Sequence, residues 1–269
     1  MKLKKHLFLF YVPLFAIQIC FNPIAFSDEK KGFEIAQEAD RRDLGWGASK
    51  VNLKMLLRNA GGETSTRSIR ISSLERQEPG VGDISLTIFD TPNDVKGTAF
   101  LSHTRVFKAD DQWLYLPALK RVKRISSKNK SGPFMGSEFA YEDLLSFEVE
   151  KYKYIYLKDE DCPTLPESCF LTERFPVYEN SGYTRQVVWM DKKNYRVNKI
   201  EYYDRRNALL KTLVLSEFNQ YKKKYWRASK LEMSNHQTKK STLLTFSNYD
   251  FDVKLNKNDF KPNKLKRVR

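Results

Sequence analysis

From Ala48 onward, apolar and polar residues alternate with a period of two. Val51, Leu53, Met55 and Leu57 stand against Asn52, Lys54, Leu56 and Arg58, and Gly61-Gly62 supplies a turn. Thr64 to Glu75 answers with Ile69 and Ile71 against Arg70 and Ser72. Ile84, Leu86 and Ile88 then alternate with Ser85, Thr87 and Phe89 before the turn Thr91-Pro92-Asn93-Asp94. A strand over Thr98 to Phe107 and the turn Ala109-Asp110-Asp111 lead to the aromatic run Trp113 to Leu116. That run stops at Pro117, which has no N–H for a ladder. The rhythm resumes with strands over Lys151–Leu157, Phe170–Phe175, Thr184–Met190, Val197–Tyr203, Leu209–Phe218, Trp226–Met233 and Ser241–Tyr249. Polar turns such as Asp191-Lys192-Lys193-Asn194 separate them. Short strands with a turn about every dozen residues predict an antiparallel meander.

One stretch has a helical period instead. Phe33 to Leu44 places Phe33, Ala36 and Asp40 on one side, with Ile35, Ala39 and Arg42 beside them, and Gly45-Trp46-Gly47 ends it. Phe33, Ile35 and Trp46 are expected to meet either the core or a bound ligand, with core favoured. The tail after Pro262 is expected to be frayed or laid along an edge strand.

The N-terminus changes the reading of everything after it. Lys2, Lys4 and Lys5 form a positive start, Leu7 to Phe21 is apolar, and Ala25-Phe26-Ser27 puts small residues before Asp28. This predicts a secretory leader cleaved after Ser27 and a periplasmic protein. The apolar run is interrupted by Pro13 and Gln18 and is short for a span of ~20 residues. Ile19 before Cys20 is too bulky for a lipidation signal. The formal charge of +15 would suggest nucleic acid in a cytoplasmic protein, but export makes that partner a poor one. With Cys20 removed, Cys162 and Cys169 remain, flanking the turn-rich segment Pro163 to Ser168. In an oxidising compartment they are expected to form a disulfide.

Catalytic chemistry is hard to find. His103 and His236 lack acidic or thiol companions at ligand spacing, and no nucleophile elbow, zinc-binding helix or phosphate-cradling glycine loop is present. Adjacent Glu142 and Asp143 do not face each other on a helix, so capping or surface roles are favoured over a metal or acid/base pair. Asp159-Glu160-Asp161 lacks the glycine and spacing of a calcium loop. No catalytic residues, cofactor or metal are expected. The basic run Lys120, Arg121, Lys123 and Arg124 has two readings of equal weight. It is either a solvated edge that deters strand pairing or a surface attracted to anionic headgroups or an acidic partner.

Residues 113–144 carry a family resemblance. W-x-Y-x-P-A-L-K-R-V-x-R-I-S, then K-S-G-x-F-M-G-S-x-F, then Y-E-D-L resemble the outer-membrane lipoprotein-sorting proteins of LolA-like fold. More narrowly, they resemble the branch found beside RND/MMPL-type exporters. The resemblance implies a mainly β (α+β) chain in which a curved antiparallel sheet forms a half-open barrel, covered by an N-terminal helix and short helices or loops. It implies one domain over residues 28–269 that carries lipid or acylated lipoprotein as a monomer. Candidate lining residues are Trp113, Tyr115, Leu116, Phe134 and Met135, with Phe134 and Met135 either on a flap hinged at Gly132 and Gly136 or in the core. Lys120, Arg121, Lys123 and Arg124 are candidate headgroup or partner contacts. Two other roles stand beside the carrier. One is an accessory or sensor subunit docked to an RND/MMPL-type transporter; the other, disfavoured, is a secreted enzyme acting on lipid or cell wall.

Overall fold

The computed structural model describes residues 24–268. Most of the expected leader, residues 1–23, therefore lies outside the described residues. Helix α1 (Ile24–Asp43) is followed by β1 (Ala48–Arg58), β2 (Thr64–Leu74), β3 (Val81–Thr91), β4 (Ala99–Arg105), β5 (Asp111–Leu116) and β6 (Arg121–Ile125). After a long connection come β7 (Tyr152–Asp161), β8 (Ser168–Pro176), β9 (Tyr183–Asp191), β10 (Val197–Asp204), β11 (Leu209–Tyr221), β12 (Tyr225–Asn235) and β13 (Ser241–Asp250). All thirteen strands form one antiparallel sheet in the order β6-β5-β4-β3-β2-β1-β13-β12-β11-β10-β9-β8-β7. Two meanders are thus joined where β1 pairs with β13, with Met55 opposite Leu244. The sheet is curved and unclosed, the half-barrel that the resemblance implied.

Two elements differ from the sequence expectation. The helix starts at Ile24 rather than Phe33 and runs unbroken to Asp43. Gly32 lies where α1 meets β7: a Cβ there would stand 2.9 Å from the Tyr156 nitrogen, so only glycine allows this approach. The first meander also continues past Pro117. Pro117–Leu119 form a single 3-10 turn, Lys120 takes a left-handed conformation (φ 48°), and the basic run returns as β6, an edge strand of the sheet.

Period-two alternation sorts side chains onto two faces. The inner face carries the main core, including Leu53, Met55, Phe89, Phe100, Val188, Ile200, Leu213 and Met233. On the outer face, the tail does not fray. Phe260 and Leu265 are buried over Ile84, Leu86 and Leu101, and the 3-10 segment Pro262–Arg267 packs across β4 to β6. Cys162 and Cys169 are disulfide-bonded, with Cα atoms 5.0 Å apart. The turn after β9 is organised by buried Asp191, which accepts from the Lys193, Asn194 and Arg196 nitrogens.

Candidate functional site

Strand β6 and strand β7 are consecutive in sequence yet lie on opposite edges of the sheet. The connection between them, residues 126–151, must therefore cross the open side of the half-barrel. It does so as a plug bonded to both meanders. Arg67 on β2 donates to the Met135 carbonyl, Gln112 on β5 to the Tyr141 carbonyl at 3.0 Å, and the Glu138 N–H to Thr242 on β13 at 3.0 Å. On the far side, the Gly182 N–H donates to Glu142 at 2.8 Å. A segment this short can reach all of these strands only because the sheet curls around it.

The plug is also bonded to itself. The Phe134 N–H donates to the Phe139 carbonyl at 2.7 Å, the Tyr141 N–H to Gly132, and the Glu142 N–H to Lys130. Phe134 is 1% exposed. Its ring centroid lies 5.8 Å from Phe89, 5.1 Å from Phe100 and 5.4 Å from Tyr141. Of the two sequence readings for Phe134, core is the one observed. Met135 beside it is half-buried, with a left-handed backbone (φ 49°).

The other candidate lining residues divide between faces. Leu116 packs with Phe134 and Met135 against the inner core. Trp113 and Tyr115 pack against the outer cluster beneath Phe260 and Leu265, with Trp113 edge-on to His103 at 5.2 Å. The expectation that all five line one pocket is thereby corrected: residues of odd and even number in a strand point to opposite sides. The basic run divides likewise. Arg121 and Lys123 pair with Leu116 and Leu114, while Arg124 pairs with Trp113 and binds Asp111. The histidines hold turns and tail: His103 Nε2 lies 2.8 Å from the Phe260 carbonyl and His236 Nε2 lies 2.7 Å from Thr212.

Over β7 to β12 the inner face has a different character. One rung of cross-strand neighbours reads Tyr154, Arg174, Gln186, Tyr202, Lys211 and Asn235. The Lys211 ammonium donates to Asp143 at 2.7 Å, and both side chains are 4% exposed. Asp143 also accepts from the Tyr183 hydroxyl at 2.8 Å and caps the 3-10 turn Tyr141–Leu144 through the Ala140 N–H at 2.7 Å. Capping was expected of Asp143, but the surface alternative does not hold for either acid. Glu142 is buried, accepting from Tyr178, Ser181 and Gly182, and burial pushes its pKa up in spite of those donors. Burial likewise pushes the Tyr183 and Tyr202 phenols far up, so both stay neutral.

A cavity of about 150 Å³ remains between this rung and the plug, lined by Arg174, Gln186, Tyr202, Tyr183, Ile200 and Leu213 among others. A second cavity of about 400 Å³ adjoins it, sharing Asp110, Lys151 and Tyr178. The next rungs turn apolar. Val188, Ile200, Leu213 and Met233 are buried under the plug, while Ile71, Leu215, Leu231 and Phe246 stay half-exposed on the same face. Sequence reading missed Arg174 and this floor. The alternation placed such residues on one face of a strand, but only the register across strands reveals which ones become neighbours. Among the described residues, no cluster of histidine, cysteine and acidic side chains could hold a metal ion.

A family profile described as an uncharacterized protein matches residues 82–267. The crystal structure of an outer membrane lipoprotein-sorting protein domain from Vibrio parahaemolyticus matches with a TM-score of 0.86 at 58% identity. That match covers 89% of this chain and 100% of the other. A DUF1329 family protein from Desulfovibrio piger matches with a TM-score of 0.83 at 29% identity, over 88% and 99% of the two chains. A LolA superfamily protein from Nitrosomonas europaea shares the fold, with a TM-score of 0.68 at 18% identity over 87% and 97%. No curated protein matches the chain.

Proposed function

This chain belongs to the outer membrane lipoprotein-sorting family of LolA-like fold, and from that premise we propose that it is a periplasmic carrier or chaperone for a lipid or acylated lipoprotein. The observation that carries this reading is the half-exposed apolar floor of Ile71, Leu215, Leu231 and Phe246 on the inner face. An acyl chain laid on such a floor gains roughly 0.8 kcal/mol for each CH₂ it buries, without any polar recognition. Lining roles for Leu116, Phe134 and Met135 require the plug to shift. Binding rather than catalysis is supported by the acids lining the cavity, Asp110, Glu142 and Asp143, each of which is engaged by structural donors. The test is mass spectrometry of organic extracts from protein purified from its own periplasm. A stoichiometric lipid or acylated peptide is expected; protein free of any apolar molecule under native extraction, and unable to take up a fluorescent acyl chain, would overturn the reading.

One observation favours a second role, that of an accessory subunit docked to an envelope transporter of the RND/MMPL type. The free edge of strand β6 is unpaired, and exposed Arg121 and Lys123 stand along it, next to exposed Lys120 and Leu119. Such an edge suits an acidic partner segment. A salt-sensitive complex that forms without cargo, and is lost on R121E/K123E, would distinguish this role from the carrier.

A further inference from the structure

The cavity over β8 to β10 has more hydrogen-bond donors than acceptors. Its acids are already occupied. Asp110 accepts from the Arg105 N–H and from Lys151, Glu142 from three donors, and Asp143 from Lys211, Tyr183 and Ala140. Arg174 has no carboxylate partner among the described residues. Its Nε donates to the Gln186 amide oxygen at 2.6 Å, and its guanidinium sits 4.8 Å from the Tyr152 ring centroid and 4.9 Å from that of Phe147. Both Nη groups, the Gln186 amide nitrogen and the Tyr202 hydroxyl make no bond within the described residues, although Tyr202 is only 4% exposed and Gln186 2%. These atoms are not sealed off: the single buried side-chain polar atom without a partner among the described residues is Glu167 Oε2. They open onto the cavity, and Arg174, Gln186 and Tyr202 are direct neighbours across three strands.

We infer that this cavity binds the oxyanion head group, a carboxylate or a phosphate, of an amphiphile held by Arg174, Gln186 and Tyr202. The inference rests on the carrier reading and gives its cargo a polarity. A guanidinium offers two parallel N–H donors that match a carboxylate or phosphate edge, and it cannot give up its charge. Surroundings of low polarity strengthen that contact relative to water. Size agrees: about 150 Å³ is many times the ~10–15 Å³ that one water needs, which leaves room for a head group. Ile200 and Leu213 on the same wall begin the apolar rungs that a chain would follow toward Leu215 and Leu231.

The test is fluorescence titration of the delipidated exported chain with dansyl-undecanoic acid and, separately, with its methyl ester. The acid is expected to bind at least tenfold more tightly. R174Q should bring the acid down to the level of the ester while leaving the ester unchanged, and Y202F should weaken the acid by a few-fold. R174K, which keeps the charge but loses the fork, should fall between wild type and R174Q. Displacement by laurate identifies a carboxylate site, and displacement by lysophosphatidic acid but not by lysophosphatidylcholine identifies a phosphate site. Equal affinity of the wild-type chain for acid and ester overturns the inference and leaves the carrier reading standing. Failure of both to bind overturns the two together. The wild-type comparison decides even if a variant does not fold.

Discussion

Over β3 to β5 the inner face ends in Phe89, Phe100 and Leu114, and Phe134 closes it with aromatic contacts. Over β8 to β10 the same face ends in Arg174, Gln186 and Tyr202, and a cavity remains. One connection covers both halves. Its first part supplies Phe134 and Phe139 to the dry half, and its second supplies Glu142 and Asp143 to the polar half. Filling a concavity with side chains maximises burial and leaves no room for a ligand. Leaving it open forgoes contact energy and requires each charge there to be paired or to face the cavity. The dry half therefore carries stability, and the polar half leaves room for a ligand at a cost in stability.

The sharpest break in this comparison comes from the dry half. Phe134→Ala removes a fully buried ring from three aromatic neighbours and is expected to cost about 3–5 kcal/mol, while half-buried Met135→Ala next to it should cost no more than the lower end for a buried methionine, about 2 kcal/mol. Urea unfolding of the two variants measures the difference. Similar small losses for both would mean that the plug is a loose flap after all.

In the polar half, Lys211→Met leaves Asp143 buried without its cation. The Tyr183 hydroxyl and the Ala140 N–H still donate to it, so the loss is expected near the lower end for a broken buried pair, about 3 kcal/mol. Adding Asp143→Asn should recover part of that loss, which a double-mutant cycle would show.

A smaller effect arises where the connection leaves the plug. Burial, together with repulsion from Asp83, pushes the Glu148 pKa up to about 7, and burial pushes Asp83 up to about 6. Both are raised above their unfolded values. The stability they contribute is complete below about pH 4 and is lost as pH rises through 6 and then 7. The melting temperature is expected to fall between about pH 5 and pH 8, and Glu148→Gln should flatten that fall. An unchanged slope in the variant would place the titration elsewhere.

The smallest effect is the most discriminating one for the comparison. Arg174→Gln can still donate to Gln186, has no ion pair to break, and should change stability by less than about 1 kcal/mol. A loss as large as that of Phe134→Ala would mean that Arg174 holds the fold together rather than awaiting a ligand.

Much of the architecture was legible in the chain. Alternation from Val51 to Leu57, from Ile84 to Ile88 and along the later strands gives the meander, because a pleated strand must turn successive side chains to opposite faces. The Asp191 turn and the pairing of Cys162 with Cys169 follow from local chemistry across a few residues. Strand β6 was not legible, because Pro117 ends a ladder locally and nothing nearby says that the chain turns back after Lys120. The site was legible only as a stretch. Its motif marked residues 113–144 as unusual, but which face Trp113 or Leu116 takes depends on where the core lies, and that depends on how thirteen strands curl. Arg174, Gln186 and Tyr202 stand on three successive strands and carry no motif. They become neighbours through the register of two successive hairpins, which turn length sets, and they become a cavity only because the connection from β6 to β7 must cross from one sheet edge to the other.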